Sequence, residues 1–303
     1  MVRKIEDREL AKAIFGAIAF FDIFSRPLNL AGIHKFLYKK RASLIEIEEE
    51  IKSNNQLKKL LSETNGYYYL RERKDIVDEF LKRKKYTRKF WQENLRFIKL
   101  LRMIPFVKMI AIGGSFAREM VNEISDFDLY IVAKNHRIYL ARAFINFINK
   151  RIAAARKMER DLLPVAFVFS ERHMKFLKPK SFLATEMLML LWLYGSISPV
   201  DILDNNKWIG NYFPNGYRAE IYQNDYPIMN KRQNFIARFF EWLFSGKIGD
   251  YFENYFHDKT VDSMSLEFED EYWARDESIG LRKDKSAWAE PEGVVDKLIK
   301  KHF

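Results

Sequence analysis

The stretch Ile112–Val132, IGGSFAREMVNEISDFDLYIV, constrains this chain more than any other. It joins a Gly-Gly-Ser turn to a strand that carries two carboxylates, Asp126 and Asp128, one residue apart. Side chains on a strand alternate between faces, so residues two apart share a face. Asp126 and Asp128 therefore point one way, and Phe127 and Leu129 the other. Two like charges side by side repel, and a core would not select them. A divalent cation makes the pair favourable, because Mg²⁺ takes oxygen ligands and commonly uses one or two carboxylates together with substrate phosphates. The turn at Gly113, Gly114 and Ser115 lies just upstream. A helix beginning over Phe116–Met120 would add free backbone N–H groups as an anion site next to the metal. Phosphate on the turn and metal on the carboxylates is equipment for phosphoryl or nucleotidyl transfer.

The same residues resemble the polymerase-beta-type nucleotidyltransferases. Their pattern is Gly-Ser, then Ala-Arg, then Ser-Asp-x-Asp at the start of a strand. Here it falls on Gly114, Ser115, Ala117, Arg118, Ser125, Asp126 and Asp128. The step of eleven residues from Ser115 to Asp126 is the one usual in the minimal members. Apolar strands flank the string at Val107–Ile112 and Leu129–Val132. A lone DxD carries little weight, whereas the whole string in this setting points to the fold. The resemblance implies Asp126 and Asp128 as catalytic metal ligands for Mg²⁺ or Mn²⁺. It implies Gly113, Gly114, Ser115, Arg118 and Ser125 as the positions that hold the nucleoside triphosphate.

Composition sets limits on the rest. The chain has 303 residues, 48% hydrophobic, which suffices for two or three domains with real cores. Its 26 Phe, 15 Tyr and 6 Trp argue against long disorder. Cysteine is absent, which excludes disulfides and thiolate metal sites and points to a reducing cytoplasm. The opening MVRKIEDRELAKAIF places acidic residues before any apolar run and does not read as a secretory signal. The longest apolar run, Met187–Tyr194, is too short to cross a bilayer, so no membrane is expected. The formal charge of +11 attracts polyanions. It gathers in Lys82, Arg83, Lys84, Lys85, Arg88 and Lys89, with Arg96, Lys99 and Arg102 following. A second cluster comprises Arg137, Arg142, Lys150, Arg151, Arg156, Lys157 and Arg160. Such clusters suit RNA or another polyanion, and they equally suit solvated helix faces. The five histidines show no metal-ligand spacing.

Along the chain, residues 8–24, 30–38 and 43–51 read as helices, with Ser43 and Glu46 as a capping box. Thr64-Asn65-Gly66 followed by Tyr67–Leu70 signals a hairpin. Three helices and a hairpin describe a winged helix. Its third helix carries Glu46, Glu48, Glu49 and Glu50, which phosphates would repel, so sequence-specific DNA reading is not expected. A long basic helix is expected over 75–102, a helix over Tyr139–Ala155 and a strand over Pro164–Phe169. Helices are also expected over 181–195, about 230–256 and 291–302, with a polar loop over 265–286. The expected class is α+β: a winged helix (1–74), a basic linker helix (75–104), a nucleotidyltransferase core with a mixed sheet (105–180) and a helical C-terminal region (181–303).

The likeness extends to a largely uncharacterised prokaryotic family that joins a winged helix to a nucleotidyltransferase domain. It rests on Phe21-Asp22-Ile23-Phe24 with Pro27-Leu28, Gly66–Leu70, Ile104–Val107, Ala184-Thr185-Glu186, Asn206-Lys207-Trp208 and Pro214-Asn215, over roughly residues 10–215. Two departures stand out. Active members carry a third carboxylate on a later strand, but Pro164–Phe169 holds no acid; Ala166 or Val168 fills the slot, with Asp161 before the strand and Glu171 after it. Glu119 follows Arg118 where a small residue is common. Two expectations follow. One is an enzyme that moves a nucleoside monophosphate from a triphosphate to a hydroxyl on RNA, protein or a small molecule. The other is a degenerate member that serves as a nucleic-acid- or protein-binding module.

Overall fold

Between Leu10 and Phe24 only Lys12 and Asp22 are charged, and the chain forms helix α1 (Arg8–Asp22), capped by the Asp7 carboxylate, which accepts from the N–H groups of Glu9 and Leu10. A helix that is apolar on nearly all sides belongs in the middle of a core. The computed structural model describes residues 7–176, 180–218, 234–267, 272–275, 278–281 and 291–303, and α1 is central to its N-terminal part. Strand β1 (Leu28–Asn29) leads into α2 (Leu30–Lys35), then α3 (Leu44–Ser53) and α4 (Asn55–Leu60). The Ser43–Glu46 capping box starts α3. Strands β2 (Leu61–Thr64) and β3 (Tyr67–Leu70) form a hairpin whose turn places Asn65 and Gly66 at positive φ. The three strands pair antiparallel in the order β1-β3-β2. Three of the four glutamates of α3 lie on its outside, whereas Glu50 is buried and accepts from the Asn54 amide at 2.8 Å.

Helix α5 (Ile76–Ile98) runs on through a 3-10 turn, Lys99–Met103, to the central sheet. There the order of elements is β4 (Val107–Ile112), α6 (Gly114–Ala117), β5 (Leu129–Ala133), α7 (Ile138–Arg156), β6 (Val165–Ser170), α8 (Ser181–Met189), β7 (Leu191–Gly195), α9 (Pro199–Asn205) and α10 (Ile209–Tyr212). The segment 181–195, expected as one helix, thus divides into helix and edge strand. An apolar run alone does not distinguish the two. Strand β4 is antiparallel to β5 and β7, while β5 and β6 are parallel across α7, so the sheet is mixed.

The two faces of this sheet bury different partners. Ile110, Ile112, Leu129, Ile131 and Val168 pack with Phe90, Trp91 and Phe97 of α5 and Ile145 and Ile152 of α7. Met109, Ala111, Tyr130, Val132, Phe167 and Phe169 face α1, α8 and the N-terminal helices, in a core shared with them.

The remaining elements are α11 (Phe235–Leu243), α12 (Lys247–Glu267), β8 (Tyr272–Arg275), β9 (Ser278–Leu281) and α13 (Pro291–His302). Residues 230–233 of the expected 230–256 helix lie outside the described residues. Of the stretch 265–286, expected as a loop, residues 268–271, 276–277 and 282–286 lie outside the described residues; the described parts end α12 and form β8 and β9, and β9 pairs with β6 to complete the order β7-β4-β5-β6-β9-β8. The C-terminal region is therefore not purely helical. Helix α13 returns to α1, where Gly16 gives it room: a β-carbon there would sit 3.2 Å from Ile299. Phe15 packs on His302 and Phe303.

Candidate functional site

The turn after β4 is built from glycines for a steric reason. Gly114 adopts φ +64°, and a β-carbon on it would lie 1.8 Å from Asp128 Oδ2. A β-carbon on Gly113 would meet the Tyr130 ring at 2.4 Å. Helix α6 begins at Gly114 and lasts four residues, earlier and shorter than the helix expected over Phe116–Met120. Glu119 at φ +58° ends it.

Asp126 and Asp128 lie on the extended lead-in to β5, which itself begins at Leu129. Backbone bonds hold this lead-in: Phe127 N–H donates to Leu162 O at 3.0 Å, Leu129 N–H to Pro164 O at 2.8 Å, and Gly113 N–H to Asp128 O at 2.9 Å. Phe127 is fully buried against Phe90, Trp91 and Phe116, while Asp126 and Asp128 on either side of it are half-buried, Asp128 with its carboxylate against Gly114. The two serines of the motif meet, with Ser115 Oγ donating to Ser125 Oγ at 3.3 Å. Ser125 is itself buried in a turn, accepting from the Asn122 N–H at 2.9 Å.

Arg118 lies beside the turn and is joined to it through one carboxylate. It forms an ion pair with Glu186 of α8 and lies over the rings of Phe24 (4.8 Å) and Phe182 (5.9 Å). Glu186 also accepts from the Gly114 N–H at 2.9 Å and from the Tyr130 hydroxyl at 3.3 Å. Burial and the nearby carboxylates of Glu186 and Asp128 hold the Tyr130 phenol far above its ordinary value. Sequence reasoning missed Glu186 as part of this constellation. Its signals were the Ala184-Thr185-Glu186 landmark of the resemblance, which carried no site role there, and an acid inside the largely apolar run SFLATEMLM. Glu119 points elsewhere, to Lys84 at 3.1 Å and Arg26 at 3.8 Å, so its charge is neutralised away from the turn.

The third strand offers no acid. Phe167 and Phe169 occupy its site-facing positions, and Phe167 stacks on Tyr130 at 5.2 Å. Val168 faces the opposite core, so it is not the residue at the slot. The pairing slips between Leu129–Val165 and Tyr130–Phe167, which makes Ala166 an extra residue on β6. Glu171 lies at the far end of the parallel pair, where its carboxylate accepts from the Asn135 N–H at 3.4 Å. His173 is at that end too, with Nδ1 3.3 Å from Ser170 Oγ. Asp161 lies at the near end, before β6, and is exposed to solvent. Among the described residues no group of three or more His, Asp or Glu could hold a metal ion.

Cations flank the segment between turn and carboxylates. Thr87 of α5 accepts from the Val121 N–H at 3.4 Å, and Lys82, Lys85, Arg88 and Lys89 lie exposed on that helix. Arg160 donates to the carbonyls of Glu123 (2.9 Å) and Ile124. The second basic cluster is not one surface. Arg137 is buried, pairs with Asp250 at 2.8 Å and holds the α11–α12 junction, while Arg142 donates to Thr260 at 3.2 Å. A cavity of about 570 Å³, lined by His136, Arg137, Glu253 and His257 among others, opens beside α12, at the end of β5 away from the aspartates. Among the described residues, no helix is long and apolar enough to cross a membrane.

Residues 88–181, which include the turn, both aspartates and β6, match the family model described as a nucleotidyltransferase domain. Comparison with curated proteins and with solved structures gives no match.

Proposed function

We propose that the protein is a metal-dependent nucleotidyltransferase that moves a nucleoside monophosphate from a triphosphate to a hydroxyl acceptor. The observation that carries this reading is the contact between the Asp128 carboxylate and the Gly114 turn, within a segment that matches the nucleotidyltransferase domain. A carboxylate against a glycine turn is useful when a cation sits between it and a phosphate. The two aspartates supply an all-oxygen donor set that suits Mg²⁺ or Mn²⁺, with triphosphate oxygens to complete it. Such a cation, held by Asp126 and Asp128, would neutralise charge on the transferring phosphoryl group.

The chain's own groups do the positioning. Ser115 and the turn orient the phosphate tail, and Asp126 and Asp128 fix the α-phosphorus relative to the acceptor. The acceptor oxygen forms its bond to the α-phosphorus as the bond to the β-phosphate oxygen breaks. Pyrophosphate leaves, and the acceptor proton passes to solvent. The exposed cations of α5 suit an RNA acceptor. The winged helix expected over residues 1–74 is read as a packing or protein-contact module, because Glu46, Glu48 and Glu49 line the outside of its third helix.

A second reading, a degenerate domain that binds without transfer, draws on the acid-free site face of β6. The experiment that separates them is incubation with α-labelled nucleoside triphosphates, Mg²⁺ and cell extract. Metal-dependent label transfer lost in the Asp126→Asn, Asp128→Asn double variant supports the enzyme. Metal-dependent nucleotide binding with no transfer supports the degenerate domain.

A further inference from the structure

Three donors converge on one buried carboxylate. Glu186, its side chain 4% exposed, accepts from the Gly114 N–H and the Tyr130 hydroxyl and pairs with Arg118. A backbone N–H at a glycine turn and an arginine beside it are the donors that a triphosphate tail requires. Stability alone gives little reason for a charge here. The neighbours on α8 are Leu183 and Met187, Phe24 and Phe182 cover Arg118, and a buried ion pair in such surroundings is often no better than apolar packing of the same volume.

We propose that Glu186 is a built-in anion that occupies the phosphate position of the Gly114–Arg118 pair, so that a nucleoside triphosphate must displace it to engage the site fully. This rests on the nucleotidyltransferase reading and adds to it a means of control. The device couples the site to the N-terminal helices. Arg118 lies over Phe24, which follows α1, and Lys35 of α2 donates to Leu188 O on α8 at 2.8 Å. Whatever shifts α8 against α1 and α2 withdraws Glu186 from the turn and frees Arg118 for phosphate. A phosphate tail does the same by competition, since it brings more negative charge to the same two donors.

The test is the affinity of the full chain for Mg-ATP and for AMP, in wild type and Glu186→Gln. The glutamine keeps the volume and one acceptor for the Gly114 N–H but gives up the charge that holds Arg118. Expected is a tenfold or greater gain for Mg-ATP, with AMP binding unchanged because AMP lacks the displacing phosphates. Equal or weaker Mg-ATP binding by the variant, with wild type binding normally, overturns the inference and leaves the proposed function intact. A gain that extends equally to AMP also overturns it, since general loosening would explain that. Binding by neither protein removes the proposed function, and the inference with it. If Glu186→Gln does not fold, hydrogen exchange of wild type serves. Saturating Mg-ATP should speed exchange over 181–190, and unchanged or slower exchange there overturns the proposal.

Discussion

The Asp128 carboxylate occupies the space that any side chain on Gly114 would need: its Oδ2 lies 1.8 Å from where a β-carbon would stand. The turn and the carboxylate strand are therefore built against each other, and the Gly113 N–H bond to Asp128 O at 2.9 Å locks the pair.

Gly114→Ala should consequently fail twice. Alanine at φ +64° costs about 1–2 kcal/mol, and the clash with Asp128 adds to it. Expected is a clear fall in thermal midpoint together with loss of Mg-nucleotide binding. Adding Asp128→Ala should recover part of the steric loss but none of the conformational strain. Strict additivity of the two single effects would show that they do not share the contact.

Asp126→Asn with Asp128→Asn removes charge without changing volume. Metal-dependent nucleotide binding and transfer should vanish, while circular dichroism stays that of wild type. Without metal, the double variant should melt at the same temperature or slightly higher, because a repulsion is gone. A large fall in midpoint would show that the carboxylates serve folding instead.

Lys35 ties α2 to α8, and burial together with the nearby Arg26 lowers its ammonium from 10.5 to about 8. A depressed lysine favours the folded state in its neutral form. The stability it contributes is fully present above 10.5 and is lost as pH falls through about 8. The difference corresponds to about 3 kcal/mol. Urea denaturation of wild type should show added stability between pH 8 and pH 10 relative to Lys35→Met. Parallel pH profiles for the two proteins would refute the assignment.

These effects also mark what the sequence could and could not disclose. The turn and the aspartate pair were legible because Gly114, Ser115, Asp126 and Asp128 lie within one short segment whose spacing is itself the geometry. Glu186 was not, since it reaches Arg118 from 68 residues away and nothing local marks its partner. Strand β7 was hidden because Leu191–Gly195 continues the apolar run of α8, and burial on both sides erases periodicity. Strands β8 and β9 lie in a polar stretch whose pairing is set by β6. Arg137 looked like part of a surface cluster, whereas the carbonyls of Phe244 and Ser245 turned it inward.

The exposed cations of α5 lead to the last prediction. Lys84 is excluded from it, because its ammonium holds Glu119, and its loss would disturb the loop after the turn. Lys82, Lys85 and Lys89 lie at positions that share one face of the helix, with Tyr86 among them. If RNA lies along that face toward Asp126, affinity falls steeply with salt, because each neutralised phosphate releases counterions. Replacing Lys82, Lys85 and Lys89 with Gln should weaken binding to all sequences alike and lower the salt slope by about two to three on the scale of one unit per lost contact. Filter binding of short RNAs over a range of potassium chloride measures both quantities. A slope identical in variant and wild type would make this face an ordinary solvated one and move the acceptor site elsewhere on the protein.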